Sequence, residues 1–354
     1  LEHGLLALAS MYVGIPYAPV SPAYSLISTD YAKLRHIVDL LQPGLIFVDN
    51  GAKYVKALAA VMPADARLVV IENPLSAHPC DLFSDVANTK ATGAVDSANA
   101  KITENTIAKF LFTSGSTGMP KAVINTQRML CFNQMMLRHT LAFLQDEPPV
   151  LVDWLPWNHT AGGNHNFGIA LYNGGSFYID QGKPTPDGII ETVRNLCDVS
   201  PTLYFNVPKG YEALVHHLRD NKRLCESFFA RLKLMQYAGA GLSQYVWDSL
   251  EEVAVDTVGE KVMIVTGYGS TETAPFAFTT TWPVDQAGSV GLPAVGLEVK
   301  LVPNAEKQEL RLRGPSITPG YWRQPDKTRE SFDEEGYYMI GDALKFVDPD
   351  DIER

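Results

Sequence analysis

The stretch Phe110-Leu111-Phe112-Thr113-Ser114-Gly115-Ser116-Thr117-Gly118-Met119-Pro120-Lys121 joins a strand-like apolar run to a loop of small residues and hydroxyls, closed by a Pro-Lys pair. Such a loop presents backbone N–H groups and Ser/Thr O–H donors with no bulky side chain in the way. A polyphosphate needs that set: convergent donors, one cation and close approach of the backbone. The ordinary mononucleotide loop fits poorly, and an unrelated phosphate-loop ATPase stays as an alternative. Its spacing would put a glycine at Pro120 and a hydroxyl at Ala122. No strand-linked G-x-G-x-x-G is present either, because Gly267 and Gly269 are followed by Glu272. Three further stretches carry chemistry-bearing residues. Gly267-Tyr268-Gly269-Ser270-Thr271-Glu272-Thr273 follows the apolar run 262–265, Gly341-Asp342 follows Tyr337-Tyr338, and Pro156-Trp157-Asn158-His159 follows the apolar run 150–154.

The elements that must position these residues are legible as apolar runs alternating with amphipathic segments of helix length. That is the pattern of α/β layering with largely parallel sheets. Strands are expected at 45–48, 68–71, 109–113, 150–154, 176–179, 203–207, 232–237 and 262–265. A helix is expected after Ser243, a suitable N-cap, with Val246, Leu250 and Val253 on one face. Residues 84–101 are small and polar and read as a surface excursion or linker. From about Thr281 short alternating segments sit between Pro/Gly turns, which predicts a small antiparallel sheet or barrel.

At 354 residues and 46% hydrophobic, the chain can bury a large core and is expected to hold more than one domain. The formal charge of −11 excludes nucleic acid as the main partner. Cys80, Cys131, Cys197 and Cys225 lie far apart with no C-x-x-C, and read as free thiols of a reducing cytoplasm. The apolar stretch 5–20 has no basic flank and is broken by Gly14, Pro16 and Pro19. It is therefore expected to be a helix running into a strand, not a membrane segment.

The glycine- and hydroxyl-rich loop, the Tyr-Gly-Ser-Thr-Glu stretch and Gly341-Asp342 together resemble the adenylate-forming superfamily: acyl-CoA synthetases, luciferases and peptide-synthetase adenylation domains. The resemblance implies two layered αβα subdomains over residues 1–280 and a small antiparallel β-barrel-like subdomain over 281–354. It implies ATP, Mg²⁺ and CoA as the reaction's companions. By that resemblance Thr113, Ser114, Gly115, Ser116, Thr117, Gly118 and Lys121 hold the β- and γ-phosphates, and Tyr268 stacks on adenine. Thr271 donates to the α-phosphate, Glu272 binds Mg²⁺, Asp342 accepts from the ribose hydroxyls, and Gly239-Ala240-Gly241 form the slot admitting adenine and acyl group. Two positions depart from the family pattern: Ile340 where Thr is usual, and Ala122 where Gly is commoner. Family members extend further at both ends, so the chain is expected to be an internal piece lacking part of one sheet and the C-terminal lid with its adenylation lysine.

His159 fits the Pro-x-x-His element, whose histidine borders the acyl tunnel. Residues 160–164 offer no carboxylate for a substrate ammonium, which favours a simple carboxylic acid over an amino acid. The segments 19–26, 157–165 and 204–208 are similar to feruloyl-CoA synthetases in particular. That implies ferulate or a related hydroxycinnamate, an aromatic carboxylic acid, held among His159, Tyr204, Phe205, Gly239, Pro275 and Phe276, with Asn164 or His165 meeting the ring hydroxyl. Open alternatives are a ligase for a fatty or benzoic acid, and a ligand-binding piece inactive without its lid.

Overall fold

In the computed structural model, every residue is described except Ala77 and positions 115–117, 285–286, 349 and 351–354; the side chain of Ser114 is also outside the description. Each strand expected from the sequence is present. The chain divides into two compact units, Leu1–Gln127 with Pro319–Thr328, and Arg128–Thr318 with Arg329–Arg354.

In the first unit, β1 (Leu45–Asn50), β2 (Arg67–Glu72) and β3 (Cys80–Leu82) form a parallel sheet in that order. Its buried Leu68 and Val70 pack with Ile46, Val48 and Leu58, the last on helix Gly51–Val61. That helix is capped by Asn50, whose side chain accepts from the Lys53 N–H. β4 (Ile107–Ser114) then turns back as an antiparallel hairpin onto β5 (Pro120–Thr126). β5 was not expected from the sequence. Its far side is closed by a return of the chain, where the Ile124 N–H donates to the Gly320 carbonyl and the Trp322 N–H to the Ala122 carbonyl. Trp322 also stacks on Phe110, 5.2 Å between ring centres. The apolar stretch near the start is helix Glu2–Tyr12, followed by a single bridge from Tyr17 to Lys109. The stretch read as a linker contains two short helices, Phe83–Ala87 and Gly93–Asn99. Neither buries a residue, so no apolar periodicity announced them.

In the second unit, β6 (Val150–Asp153) and β7 (Ser176–Ile179) are parallel. β8 (Leu203–Asn206), β9 (Leu234–Ala238) and β10 (Met263–Tyr268) are parallel as well, extended antiparallel by β11 (Phe278–Thr279) and β12 (Leu292–Pro293). Alternation along the strands divides their side chains between two cores. Tyr204, Met235 and Ile264 pack with helices Ile189–Asp198, Pro208–Asp220, Lys222–Phe229 and Gln244–Val258. Leu203, Leu234 and Val265 pack with Met136, Leu137, Ile169 and Phe276. Ser243 caps the last of those helices as expected, accepting from the Val246 N–H.

β13 (Glu298–Asn304), β14 (Lys307–Arg313) and β15 (Tyr338–Leu344) form an open antiparallel sheet rather than a closed barrel; among the described residues no strand other than β14 pairs with β13 or β15. A division at residue 280 would cut the five-stranded sheet between β11 and β12, so the compact units do not follow the expected 1–280 and 281–354 split. The four cysteines are free, as read from their spacing. No helix among the described residues is long and apolar enough to cross a membrane.

The Tyr211 hydroxyl lies 2.7 Å from the Tyr204 carbonyl and 3.1 Å from that of Gln236, tying helix Pro208–Asp220 to β8 and β9. Tyr211→Phe is expected to cost about 1 kcal/mol in urea unfolding; an unchanged midpoint would show that the tie contributes nothing.

Candidate active site

In the first unit the hairpin brings Thr113 directly opposite Lys121. The Thr113 hydroxyl is buried and has no protein partner. Lys121 donates to the Tyr321 hydroxyl at 3.0 Å, with its ammonium 4.2 Å from that ring's centre. The Pro120 carbonyl lies 3.0 Å from the His36 ring nitrogen, which holds the hairpin exit. Gly118 is exposed with φ +81°, a conformation that favours glycine. Gly115, Ser116 and Thr117 lie outside the described residues. What is described is an unpaired hydroxyl and a lysine bound only to neutral oxygen, both suited to anionic oxygens.

In the second unit β10 delivers the Tyr-Gly-Ser-Thr-Glu stretch. Beyond Tyr268, the Ser270 N–H donates to the Thr273 hydroxyl at 2.9 Å and the Thr273 N–H to the Ser270 carbonyl at 3.1 Å, closing a short turn in which Thr271 and Glu272 are buried. The Glu272 carbonyl accepts from the Thr318 N–H at 2.8 Å, anchoring the turn. Tyr268 donates its hydroxyl to the Asp342 carboxylate at 2.8 Å. Burial and that carboxylate push the phenol far above its ordinary pKa. Phe278 meets the Tyr268 ring edge-on at 5.8 Å and fixes its plane. Ile340, the departure from the family pattern, packs with Leu310 and Leu312 in the core. Asp342 itself is exposed.

Beside Tyr268 lies an apolar cavity of about 90 Å³ at the carboxyl ends of β8, β9 and β10. Phe205, Gln236, Ala238 and Gly267 come from the strands, Pro275 and Phe276 from the turn after Glu272, and His159 and His165 from the segment after β6. Ligands in open α/β sheets bind at this end of the strands. That segment forms a wide helical turn, Ala161–Asn166, possible because Gly162 and Gly163 press against the Leu155 and Trp157 carbonyls. A Cβ at Gly163 would sit 2.3 Å from the Trp157 oxygen.

His159 accepts the Ala161 N–H on Nδ1 at 3.2 Å, and desolvation lowers its pKa, so its proton rests on Nε2. His165 is 2% exposed and lies against Phe205, 4.6 Å between rings. Its Nδ1 is 2.9 Å from Asn166 Oδ1, and Asn166 Nδ2 donates to Asp153 Oδ1 at 3.0 Å. Burial lowers the His165 pKa to about 4 and raises that of Asp153 to about 7.

Phe205, Gly239, Pro275, Phe276 and His159, expected around the acyl group, line the cavity, and so does Tyr268, expected against adenine. Two expected lining residues do not. Tyr204 points to the opposite face of β8, edge-on to Tyr211 and Phe228, because neighbours on a strand alternate sides. Asn164 donates to the Thr160 hydroxyl at 3.1 Å within its own turn. Of the Gly239-Ala240-Gly241 slot, only Gly239 reaches the lining. Gln236 went unnoticed in the sequence, although a glutamine inside the apolar run Leu234–Tyr237 is the signal that could have marked it.

A model of the AMP-binding enzyme family matches residues 1–322. The malonate–CoA ligase of Arabidopsis thaliana is 27% identical over 346 residues, covering 92% of this chain and 53% of that protein. A long-chain-fatty-acid–CoA ligase of Escherichia coli O157:H7 is 28% identical over 261 residues, covering 68% of this chain and 44% of that protein. The chain thus spans about half the length of these curated relatives. A malonyl-CoA ligase in ternary product complex with methylmalonyl-CoA and AMP shares its fold at TM-score 0.74 and 24% identity, over 99% of this chain and 68% of that one. So does the luciferase-like enzyme of the mealworm Zophobas morio, at TM-score 0.77 and 18% identity, over 97% and 77%. The similarity is to malonate and long-chain-fatty-acid ligases, so the expected kinship with feruloyl-CoA synthetases in particular is not what these relatives carry.

The two buried titrations act in opposite directions. Asp153 keeps its proton in the folded state up to about pH 7 and releases it near 3.8 when unfolded, so its contribution falls as pH rises between those values. His165 takes up a proton near 6.5 when unfolded and near 4 when folded, so its contribution falls as pH drops through that window. In Asp153→Asn the histidine acts alone. The variant is expected to lose stability more steeply than the parent as pH falls from 6.5 to 4; parallel urea-unfolding curves across that range would contradict the assignment.

Proposed function

The chain belongs to the AMP-binding enzyme family, and from that premise we propose that it serves an ATP-dependent acid–CoA ligase acting on ferulate or a related hydroxycinnamate. A carboxylate is a poor electrophile because its leaving group would be oxide. In the first step a carboxylate oxygen attacks the α-phosphorus of ATP, forming the acyl-adenylate and expelling pyrophosphate. In the second the CoA thiol attacks the acyl carbonyl, losing its proton, and AMP leaves.

The residue roles follow the chemistry of each group. Thr113, with its unpaired hydroxyl, Gly118 and Lys121 receive the terminal phosphates, together with the loop at Ser114, Gly115, Ser116 and Thr117. Tyr268 offers adenine a ring already fixed in plane, and Asp342 accepts the ribose hydroxyls as it now accepts the phenol. Thr271 donates to the α-phosphate. Glu272 would supply a carboxylate oxygen to Mg²⁺, a hard cation whose charge would offset that of the phosphates. No group of three or more His, Cys, Asp or Glu suited to a metal occurs among the described residues. His159, neutral at pH 7, borders the place of the reacting carboxylate.

The observation that carries the choice of acid is the cavity. Its lining includes no Lys or Arg, and both of its histidines have lowered pKa values. A second carboxylate, as on malonate, would be buried there without a counter-charge. The lining by Phe205, Val207, Pro275 and Phe276 offers ring and aliphatic surface suited to an aromatic acyl group.

Thermal melts with Mg²⁺-ATP and with non-hydrolysable feruloyl, malonyl and octanoyl adenylate mimics test this reading. At a hundredfold excess over its dissociation constant, the feruloyl mimic is expected to stabilise by about 2.7 kcal/mol and to exceed the others. Glu272→Ala is expected to weaken the Mg²⁺-ATP response. A larger shift with the malonyl or octanoyl mimic would overturn the choice of acid.

A further inference from the structure

We propose that His165 Nε2 and the side-chain amide of Gln236 are the specificity-determining groups of the acyl cavity, together reading a neutral hydroxyl on the acyl group. The inference deepens the ligase reading and rests on it. Both residues line the cavity and both are buried, His165 at 2% and Gln236 at 0% exposure. His165 Nε2 and both polar atoms of the Gln236 amide have no protein partner. Buried polar groups are ordinarily paired, and those left unpaired beside a cavity are where a ligand's own polar group is wanted.

The protonation pattern defines what that group must be. Asn166 spends its amide N–H on Asp153, so its oxygen faces His165 and can only accept. The His165 proton therefore sits on Nδ1, leaving a lone pair on Nε2. Burial lowers the ring's pKa to about 4, so it stays neutral and accepting at physiological pH. Asp153 Oδ1 is held in turn by the Leu155 N–H at 3.2 Å, which fixes the far end of the chain. The ring is also clamped against Phe205, which sits opposite Gln236 in the β8–β9 register. The Gln236 amide has room because of Gly267, where a Cβ would come within 2.9 Å of Gln236 Nε2.

An acceptor and an amide able to donate and accept make a site for an O–H group, which does both. They do not make a site for a carboxylate, which would face the lone pair of His165 and receive one amide N–H with no counter-charge. They do not suit a plain hydrocarbon end either, which would leave all three polar atoms unpaired. A phenolic acid pairs two of the three: its O–H donates to His165 Nε2 while its oxygen accepts from Gln236 Nε2. Discrimination of this type exceeds what an apolar pocket achieves for a single methylene, since rejecting the analogue leaves buried protein groups unpaired.

The test compares, by calorimetry, the dissociation constants of two adenylate mimics on this chain: feruloyl, and its analogue lacking the ring hydroxyl. The hydroxylated mimic is expected to bind roughly 30-fold or more tightly, within the range hydrogen-bonding sites reach. In His165→Phe and in Gln236→Leu the ratio is expected to fall to within about threefold, through weaker binding of the hydroxylated mimic alone. A fold defect would weaken both mimics together, so the ratio separates recognition from damage. Equal affinities in the parent chain, or a ratio that survives in both variants, would overturn this inference and leave the ligase reading standing. Failure of the parent to bind either mimic would overturn both.

Discussion

The register of β8, β9 and β10 is the constraint on which the second unit depends. Phe205 aligns with Gln236, and Gln236 with Val265; Ala238 aligns with Gly267. Alternation then sends Tyr204, Met235 and Ile264 into the helix-packed core and leaves Phe205, Gln236, Ala238 and Gly267 along the cavity. A slip of one residue on any of these strands would exchange the two sets. Burial of one face, with Tyr211, Phe228 and Trp247 filling the helix side, thereby fixes the chemistry of the other. The cavity is a consequence of how the opposite core packs.

Polar groups are placed in this unit only where the packing holds them. Asp153, Asn166 and His165 are almost wholly buried and joined in sequence by two hydrogen bonds of 2.9–3.0 Å. A buried carboxylate without its amide partner would be costly, and the arrangement turns that cost into a defined tautomer. Asn133 works similarly at the turn after Glu272, donating to the Thr273 and Phe276 carbonyls at 3.2 and 2.9 Å. It links helix Gln127–Thr140 to the segment carrying Pro275 and Phe276. Small side chains beside the cavity thus leave its shape to be set by backbone and by buried amides.

Much of this was legible in the sequence because apolar periodicity and motif spacing report directly on strands and their ends. Strands β1, β2, β4 and β6 to β10, the Ser243 cap, the small antiparallel region and the adenylate-forming resemblance all follow from such patterns. Contacts between residues distant in sequence were not legible. The return of 319–328 against β5 depends on Gly320 and Trp322 meeting Ile124 and Ala122, which no local pattern announces. Telling which of Tyr204 and Phe205 faces the cavity beside Gln236 needed the register, since both residues are aromatic and adjacent. Asn164 and His165 were equivalent by polarity; the turn geometry directs the first to Thr160 and the second to the cavity.

The proposed ligase requires the cavity beside the Tyr268–Asp342 pair to receive an acyl group and Tyr268 its adenine. A crystal structure of this chain with a feruloyl-sulfamoyl-adenosine mimic tests that most directly. Adenine is expected against the Tyr268 ring, ribose hydroxyls on Asp342 and the aromatic ring in the cavity with its hydroxyl between His165 and Gln236. A well-ordered mimic whose acyl group lies outside the cavity, with Tyr268 still bound to Asp342, would contradict it.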